Sequence, residues 1–326
     1  MRRRLAILAA TLVTVAASTF IAVQPAHAAT GFYVSNGRLY DANGSDFVMR
    51  GVSHGWNWYR GQNSTFANVK SLGANTVRVV LSTGATSTYS SASDVAGVIT
   101  QCKNNKLVCV LEVHDTTGYG DTNAITQSQA ADYWISIKST LAGQEKYVII
   151  NIGNEPIGNN NPASWTSATT DAIRKMRNAG FAHTLMVDGP NWGQDNSHVM
   201  RDNAASVFNA DTLHNTVFSV HMYSVYSSAS TITDYLGRFV TAKLPIVVGE
   251  FGYQDPYGNV DEDTIMSTAQ ARGIGYLGWS WSGNGSPVQY LDMSNGFNVN
   301  SLTWWGSRVF NGSNGIKATS RQASVY

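Results

Sequence analysis

The 326-residue sequence predicts an α/β fold, a (β/α)8 barrel with a short N-terminal β-hairpin, and three observations carry that expectation. Eight strand-like runs rich in Val, Ile and Leu alternate with helix-like segments. The alternation fills roughly 300 residues without a linker, repeat or low-complexity tract, a length that suits a closed barrel. Runs such as YVIIN and PIVVG are apolar at consecutive positions, as strands covered on both faces are. A doubly wound open sheet is the alternative, and eight regular units weigh against it.

The elements follow in order. Residues 1–28 place Arg2, Arg3 and Arg4 before an apolar stretch that closes in Ala26-His27-Ala28, the pattern of a cleaved export signal rather than a retained anchor. Residues 29–326 then form one domain. FYVSNGRLYDANGS carries two Asn-Gly turns between short alternating runs, which predicts a hairpin capping one end of the barrel. Strands are expected at Phe47–Ser53, Thr76–Leu81, Val108–His114, Tyr147–Asn151, Thr184–Asp188, Val217–Tyr223, Ile246–Glu250 and Gly275–Trp281. Helices fall between them; PASWTSATTDAIRKMRNAG, for example, opens at Pro162 and closes at Gly180, and SLTWWGSRVFNG supplies the eighth. The polar tail KATSRQASVY reads as the beginning of a linker.

Composition narrows the function. Loss of the three N-terminal arginines turns a formal charge of +1 into −2, which leaves no basic surface for nucleic acid. With no other span apolar enough for a bilayer, a soluble, secreted, monomeric protein is expected. Charged residues make up 13% of the chain against nine Trp and fifteen Tyr, a balance suited to a neutral ligand. Cys102 and Cys109 flank a short turn, and in an oxidising compartment a disulfide is expected in preference to a redox pair.

In a β/α barrel the reactive side chains stand at the C-terminal strand ends. Two apolar runs there end in a carboxylate, Glu155 in YVIINIGNEP and Glu250 in PIVVGEFGY. Paired carboxylates are the equipment of glycosidic bond cleavage, one protonating the leaving oxygen and the other attacking the anomeric carbon or activating water. Arg78, His114, His221 and Tyr223 occupy other strands or strand ends. No His-x-x-x-His spacing suggests zinc. Asp261-Glu262-Asp263, with Asp255 nearby, suits a helix N-terminus, and a structural calcium ion is the sharper expectation for clustered carboxylates.

Taken in order, Arg78, His114, Asn154-Glu155-Pro156, His221-x-Tyr223, Glu250 and a tryptophan on strand eight resemble glycoside hydrolase family 5 along the whole mature chain. GVSHGWNWY, VLEVHDTTGYG and GWSWSGNG are similar to the bacterial endo-β-1,4-mannanases of that family more than to its cellulases. The resemblance implies Glu155 as acid/base and Glu250 as nucleophile in a retaining double displacement on internal β-1,4 bonds of mannan, glucomannan or galactomannan, with no cofactor required. An endo-β-1,4-glucanase using the same pair is the alternative, and a non-catalytic sugar-binding barrel would be expected to lack one of the glutamates. Arg78 and Tyr223 are expected to bind Glu250 as a carboxylate, whose charge would keep Glu155 protonated. The resemblance further implies sugar or glutamate contacts for Asn154, His114 and His221. Trp281, two positions beyond Trp279 on one face of strand eight, is expected to floor the reacting subsite. Trp56, Trp58, Tyr119, Trp192 and Tyr226 are expected either to stack on further sugars or to pack, and Trp134, Trp165, Trp304 and Trp305 to pack.

Overall fold

The structure, a computed structural model, describes residues 30–326, and the expected export signal lies outside the described residues. β1 (Tyr33–Ser35) and β2 (Arg38–Tyr40) form the expected hairpin. Its two turn residues, Asn36 and Gly37, sit at φ 50° and 75°, the left-handed backbone that a tight hairpin turn demands.

Seven parallel strands follow: β3 (Arg50–His54), β4 (Thr76–Leu81), β5 (Val108–Val113), β6 (Val148–Asn151), β7 (Leu185–Asp188), β8 (Thr216–Met222) and β9 (Ile246–Phe251). A two-stranded ribbon, β10 (Gln254–Asp255) and β11 (Gly258–Asn259), rises from the loop after β9. The eighth barrel strand, β12 (Gly275–Gly278), pairs with both β9 and β3 and closes the cylinder. The last strand is shorter than expected, stopping three residues before Trp281. Around it run α1 (Ser64–Ser71), α2 (Ala92–Asn104), α3 (Gln127–Ser136), α4 (Lys138–Leu141), α5 (Trp165–Asn178), α6 (Val199–Ala210), α7 (Ala229–Thr241), α8 (Glu262–Arg272), α9 (Trp304–Asn311) and α10 (Ile316–Thr319). Ser91 and Thr126 start α2 and α3 with reciprocal capping boxes, each satisfying backbone donors the helix cannot.

The barrel interior is divided by polarity. At its lower end Val108, Val110, Ile149, Met186, Val217, Val247 and Leu277 from six strands form one apolar cluster with Phe32, Leu39, Phe47 and Met49 of the N-terminal segment. The hairpin segment therefore plugs the bottom. The C-terminal tail packs there too, a correction to the linker reading: Ala323 is buried, Tyr326 donates to the Leu107 carbonyl at 2.7 Å, and the Arg321 carbonyl accepts from Asn75 at 2.8 Å. Apolar side chains exclude water below, so polar groups collect at the upper end, where Arg78, Glu112, Asn151, Asp188, His221 and Glu250 are all buried.

Three helix tryptophans hold this upper end in place. The buried indoles of Trp134, Trp165 and Trp305 donate to the carbonyls of Ile152, Asp188 and Trp279 at 2.7–2.9 Å, each at a strand end or just beyond it. Trp304 differs from the expected packing role, being 60% exposed beside Tyr253.

Candidate active site

A cleft of about 690 Å³ opens over the upper end of the barrel, and Glu155, Glu250, Asn154, His114, Tyr223, Trp192 and Trp279 are among its walls. Glu250 is delivered by a register shift. Val220 faces Val248 across β8 and β9, whereas His221 faces Glu250, so Gly249 is the extra residue on β9. A Cβ at Gly249 would lie 2.0 Å from Ser219 Oγ, so a side chain there would collide inside the barrel. Glu155 is delivered differently, beyond the end of β6, with φ at 41°. That left-handed backbone is uncommon for a residue with a Cβ and is held by hydrogen bonds on both sides of it.

The two carboxylates converge as expected. One oxygen of Glu155, one of Glu250 and a ring nitrogen of His221 lie within 4.8 Å of one another, the one such cluster among the described residues. Arg78 Nη1 donates to Glu250 Oε1 at 2.6 Å, and the Tyr223 hydroxyl donates to Oε2 at 2.9 Å. The arginine already supplies positive charge to this cluster, so it fits an acid pair better than a cation site. Tyr223 itself is pushed far above the ordinary phenol value, first by burial and then by Glu250, and stays a donor.

Glu155 is raised above the ordinary carboxyl value, and burial is the largest cause. The Glu250 charge adds to it, while the hydrogen bond and charge of His221 pull the other way. Burial therefore outranks the Glu250 charge that the sequence leads one to expect, because depth of burial is not visible along the chain. His221 Nδ1 lies 2.8 Å from Glu155 Oε1 and 3.6 Å from Glu250 Oε2. Burial alone would lower its pKa, but Glu250 and Asp188 outweigh that and raise it to about 10, so the ring is charged at neutral pH. His114 follows the same balance, raised by Glu112, whose Oε1 sits 2.9 Å from Nδ1. Asn154 spends its carbonyl on Arg78 Nη2 at 2.7 Å and one amide hydrogen on Thr117 at 2.9 Å, leaving a hydrogen for a ligand.

The aromatic walls are only partly those expected. Trp281 is fully buried with its ring against Phe310, outside the cleft, and Trp279 lines the cleft instead. β12 ends at Gly278, so strand alternation does not extend to residues 279–281. Trp279 stands nearly parallel to His114 and edge-on to Trp58, which is 46% exposed. Trp56 is a core residue under Arg60, and Tyr226 is buried, donating to the Gln194 carbonyl; neither faces the cleft. Trp192 does, its indole donating to Asp121 Oδ2 at 3.0 Å. Tyr119 is exposed but is not a wall of the cleft. Sequence reasoning also passes over Asp188, Asn151 and Glu112, although Asp188 closes a β-strand as Glu250 nearly closes its own.

Residues 40–285 match the family model described as Cellulase (glycosyl hydrolase family 5). The chain belongs to glycosyl hydrolase family 5. Within the family, it is 61% identical over 300 residues to a mannan endo-1,4-β-mannosidase of Streptomyces lividans, covering 92% of this chain and 78% of the relative. The structure of a β-mannanase from Thermomonospora fusca superposes with a TM-score of 0.90 at 57% identity over 91% of this chain and 99% of that one. A mannotriose complex of the T. fusca enzyme superposes at 0.89 and 56% identity over the same shares.

Two expectations outside the cleft are revised on this family 5 barrel. Cys102 and Cys109 are buried neighbours but free thiols, not a formed disulfide, and the Cys102 thiol is pushed far up by burial and then by its hydrogen bond with Cys109. The acidic run does not form the expected calcium cluster. Asp261 caps α8 by accepting from Thr264 N–H, and Asp263 pairs with Arg308. Glu262 is raised, first by burial. The three carboxylates do not meet as a ligand set.

Proposed function

We propose that this chain is a secreted endo-β-1,4-mannanase that hydrolyses internal bonds of mannan, glucomannan and galactomannan with retention of configuration. The observation that carries the mechanism is the approach of one Glu155 oxygen to within 4.8 Å of one Glu250 oxygen. A retaining pair stands about 5 Å apart, whereas inversion needs a wider gap to seat a water between carboxylate and sugar. The substrate class rests on the high identity to proteins named for mannan hydrolysis and on the fold shared with a mannotriose-bound enzyme.

In the first step Glu155, protonated because it is buried beside another anion, gives its proton to the glycosidic oxygen while Glu250 attacks the anomeric carbon. Arg78 and Tyr223 orient the attacking carboxylate. Once Glu250 is an ester its negative charge is gone, and one cause of the raised Glu155 value goes with it. The charged His221 beside it then favours the Glu155 carboxylate, which takes a proton from water as that water displaces Glu250. Trp279 offers the reacting sugar an aromatic face, and the amide of Asn154 is free to meet its 2-hydroxyl.

Reducing-sugar release from galactomannan, glucomannan and carboxymethyl cellulose, run beside the Glu155→Ala and Glu250→Ala proteins, tests this reading. Release from the first two substrates alone is expected, with both variants inactive. Release chiefly from carboxymethyl cellulose would overturn the substrate, and a Glu250→Ala protein with most of its activity would overturn the mechanism.

A further inference from the structure

One buried carboxylate serves the catalytic pair without facing the cleft. Asp188 ends β7, is fully buried, and is met by groups from three other strands and the loop after β6. Asn151 of β6 donates to Oδ1 at 3.1 Å. Oδ2 accepts the backbone N–H of Glu155 at 3.2 Å and Arg78 Nη2 at 3.3 Å. His221 Nε2 lies 3.3 Å from the same oxygen, as an ion contact and not a well-aligned hydrogen bond.

Two of these contacts bear directly on Glu155. Its N–H is gripped at a residue whose φ of 41° would otherwise relax toward the ordinary negative region. On the far side of that residue the Glu155 carbonyl accepts from Gly118 N–H at 2.8 Å, so the turn is pinned from both ends. His221, whose Nδ1 meets the Glu155 carboxyl, is backed through its other nitrogen by Asp188. One side chain thus sets both the main chain and the side chain of the same glutamate. An amide cannot replace it: two hydrogen-bond donors and the charged His221 ring converge on Oδ2 and one donor on Oδ1, so Asn in either orientation would present hydrogens to a donor.

We propose that Asp188 is a positioning residue for the acid/base, fixing the turn that carries Glu155 and the imidazole that its carboxyl meets. The inference rests on the retaining reading above and assigns the function of Asp188 to proton transfer, as distinct from the Arg78 contact that leads to the nucleophile. The two can be separated, because a substrate with a strongly acidic leaving group needs a nucleophile but little general acid.

The test compares Asp188→Asn with wild type on mannan and on 2,4-dinitrophenyl β-mannobioside. On mannan kcat/KM should fall by roughly 10²-fold, and on the aryl substrate by no more than roughly threefold. Azide should accelerate aryl turnover by the variant and yield the β-glycosyl azide, since azide attacks the glycosyl-enzyme without base assistance, forming the carbon–nitrogen bond as the Glu250 ester bond breaks. Glu155→Ala provides the reference for an absent acid/base, inactive on mannan but still cleaving the aryl substrate and accelerated by azide. Equal losses on both substrates would overturn the proposal, placing Asp188 behind Arg78 and the nucleophile. Unchanged activity on mannan would overturn it as well. If circular dichroism shows that Asp188→Asn does not fold, Asp188→Glu, which keeps the charge and displaces the oxygens by one methylene, is judged by the same ratio and by azide. A wild-type protein inactive on both substrates would refute the retaining reading itself, a result distinct from any ratio between variant and wild type.

Discussion

Exchanging the roles expected of two tryptophans gives a sharp prediction. Trp281 is fully buried against Phe310, so Trp281→Ala should leave a cavity and cost roughly 3–5 kcal/mol. In a domain of this size each kcal/mol lowers Tm by about 2 °C, so the expected fall is on the order of 6–10 °C. Trp281→Phe should cost far less, because it fills most of the site and removes an indole N–H that has no hydrogen-bond partner. Trp279 is a half-buried cleft wall, so Trp279→Ala should change Tm little and lower kcat/KM by roughly tenfold or more, the loss of a stacking surface worth about 1 kcal/mol plus its burial. Differential scanning calorimetry and mannan hydrolysis on the three variants decide it. A Trp281→Ala protein with wild-type Tm and collapsed activity would refute the reasoning.

Three further outcomes follow from local geometry. His54 is buried edge-on to Phe66 with neither ring nitrogen hydrogen-bonded, and burial lowers its pKa to about 3. A depressed histidine leaves stability intact above its unfolded value near 6.5 and loses it as pH falls, by about 2 kcal/mol at pH 5, so His54→Leu should flatten the decline of Tm between pH 7 and 5; an unchanged slope would contradict this. Gly118 has φ 68°, and a Cβ there would come within 2.5 Å of the Trp192 ring, so Gly118→Ala should cost about 1–2 kcal/mol and raise KM on mannan more than it lowers kcat. Steady-state kinetics with KM unchanged would remove Trp192 from the binding surface. Cys102 and Cys109 are neighbours, so mild oxidation should join them, protect both from alkylation and stabilise the fold by about 2–3 kcal/mol through closure of a short loop; intact mass and Tm before and after reduction report it.

The barrel was legible because apolar runs and turn residues are local properties. Val148–Asn151 and Ile246–Phe251 can be buried only as interior strands, and a strand buried at both faces must surrender its polar residue where it emerges. That rule finds Glu155 and Glu250, and applied to every strand end it also finds Asp188. It fails at Trp281, because the sequence does not mark Gly278 as the last strand residue and the wrong indole is then placed in the cleft.

What the sequence determined by itself was the fold and the two acids at its strand ends, since these follow from hydrophobic period and residue type, while the order of their partners is legible through the resemblance to family 5. What the tertiary structure alone decided was proximity and depth. The register shift at Gly249 sets Glu250 beside His221, and Asp188 gathers Arg78, His221 and the Glu155 backbone from separate strands. Burial is then the largest cause of the raised Glu155 pKa. Electrostatic work of this kind depends on distance and solvent exclusion in three dimensions, and neither quantity is written along the chain.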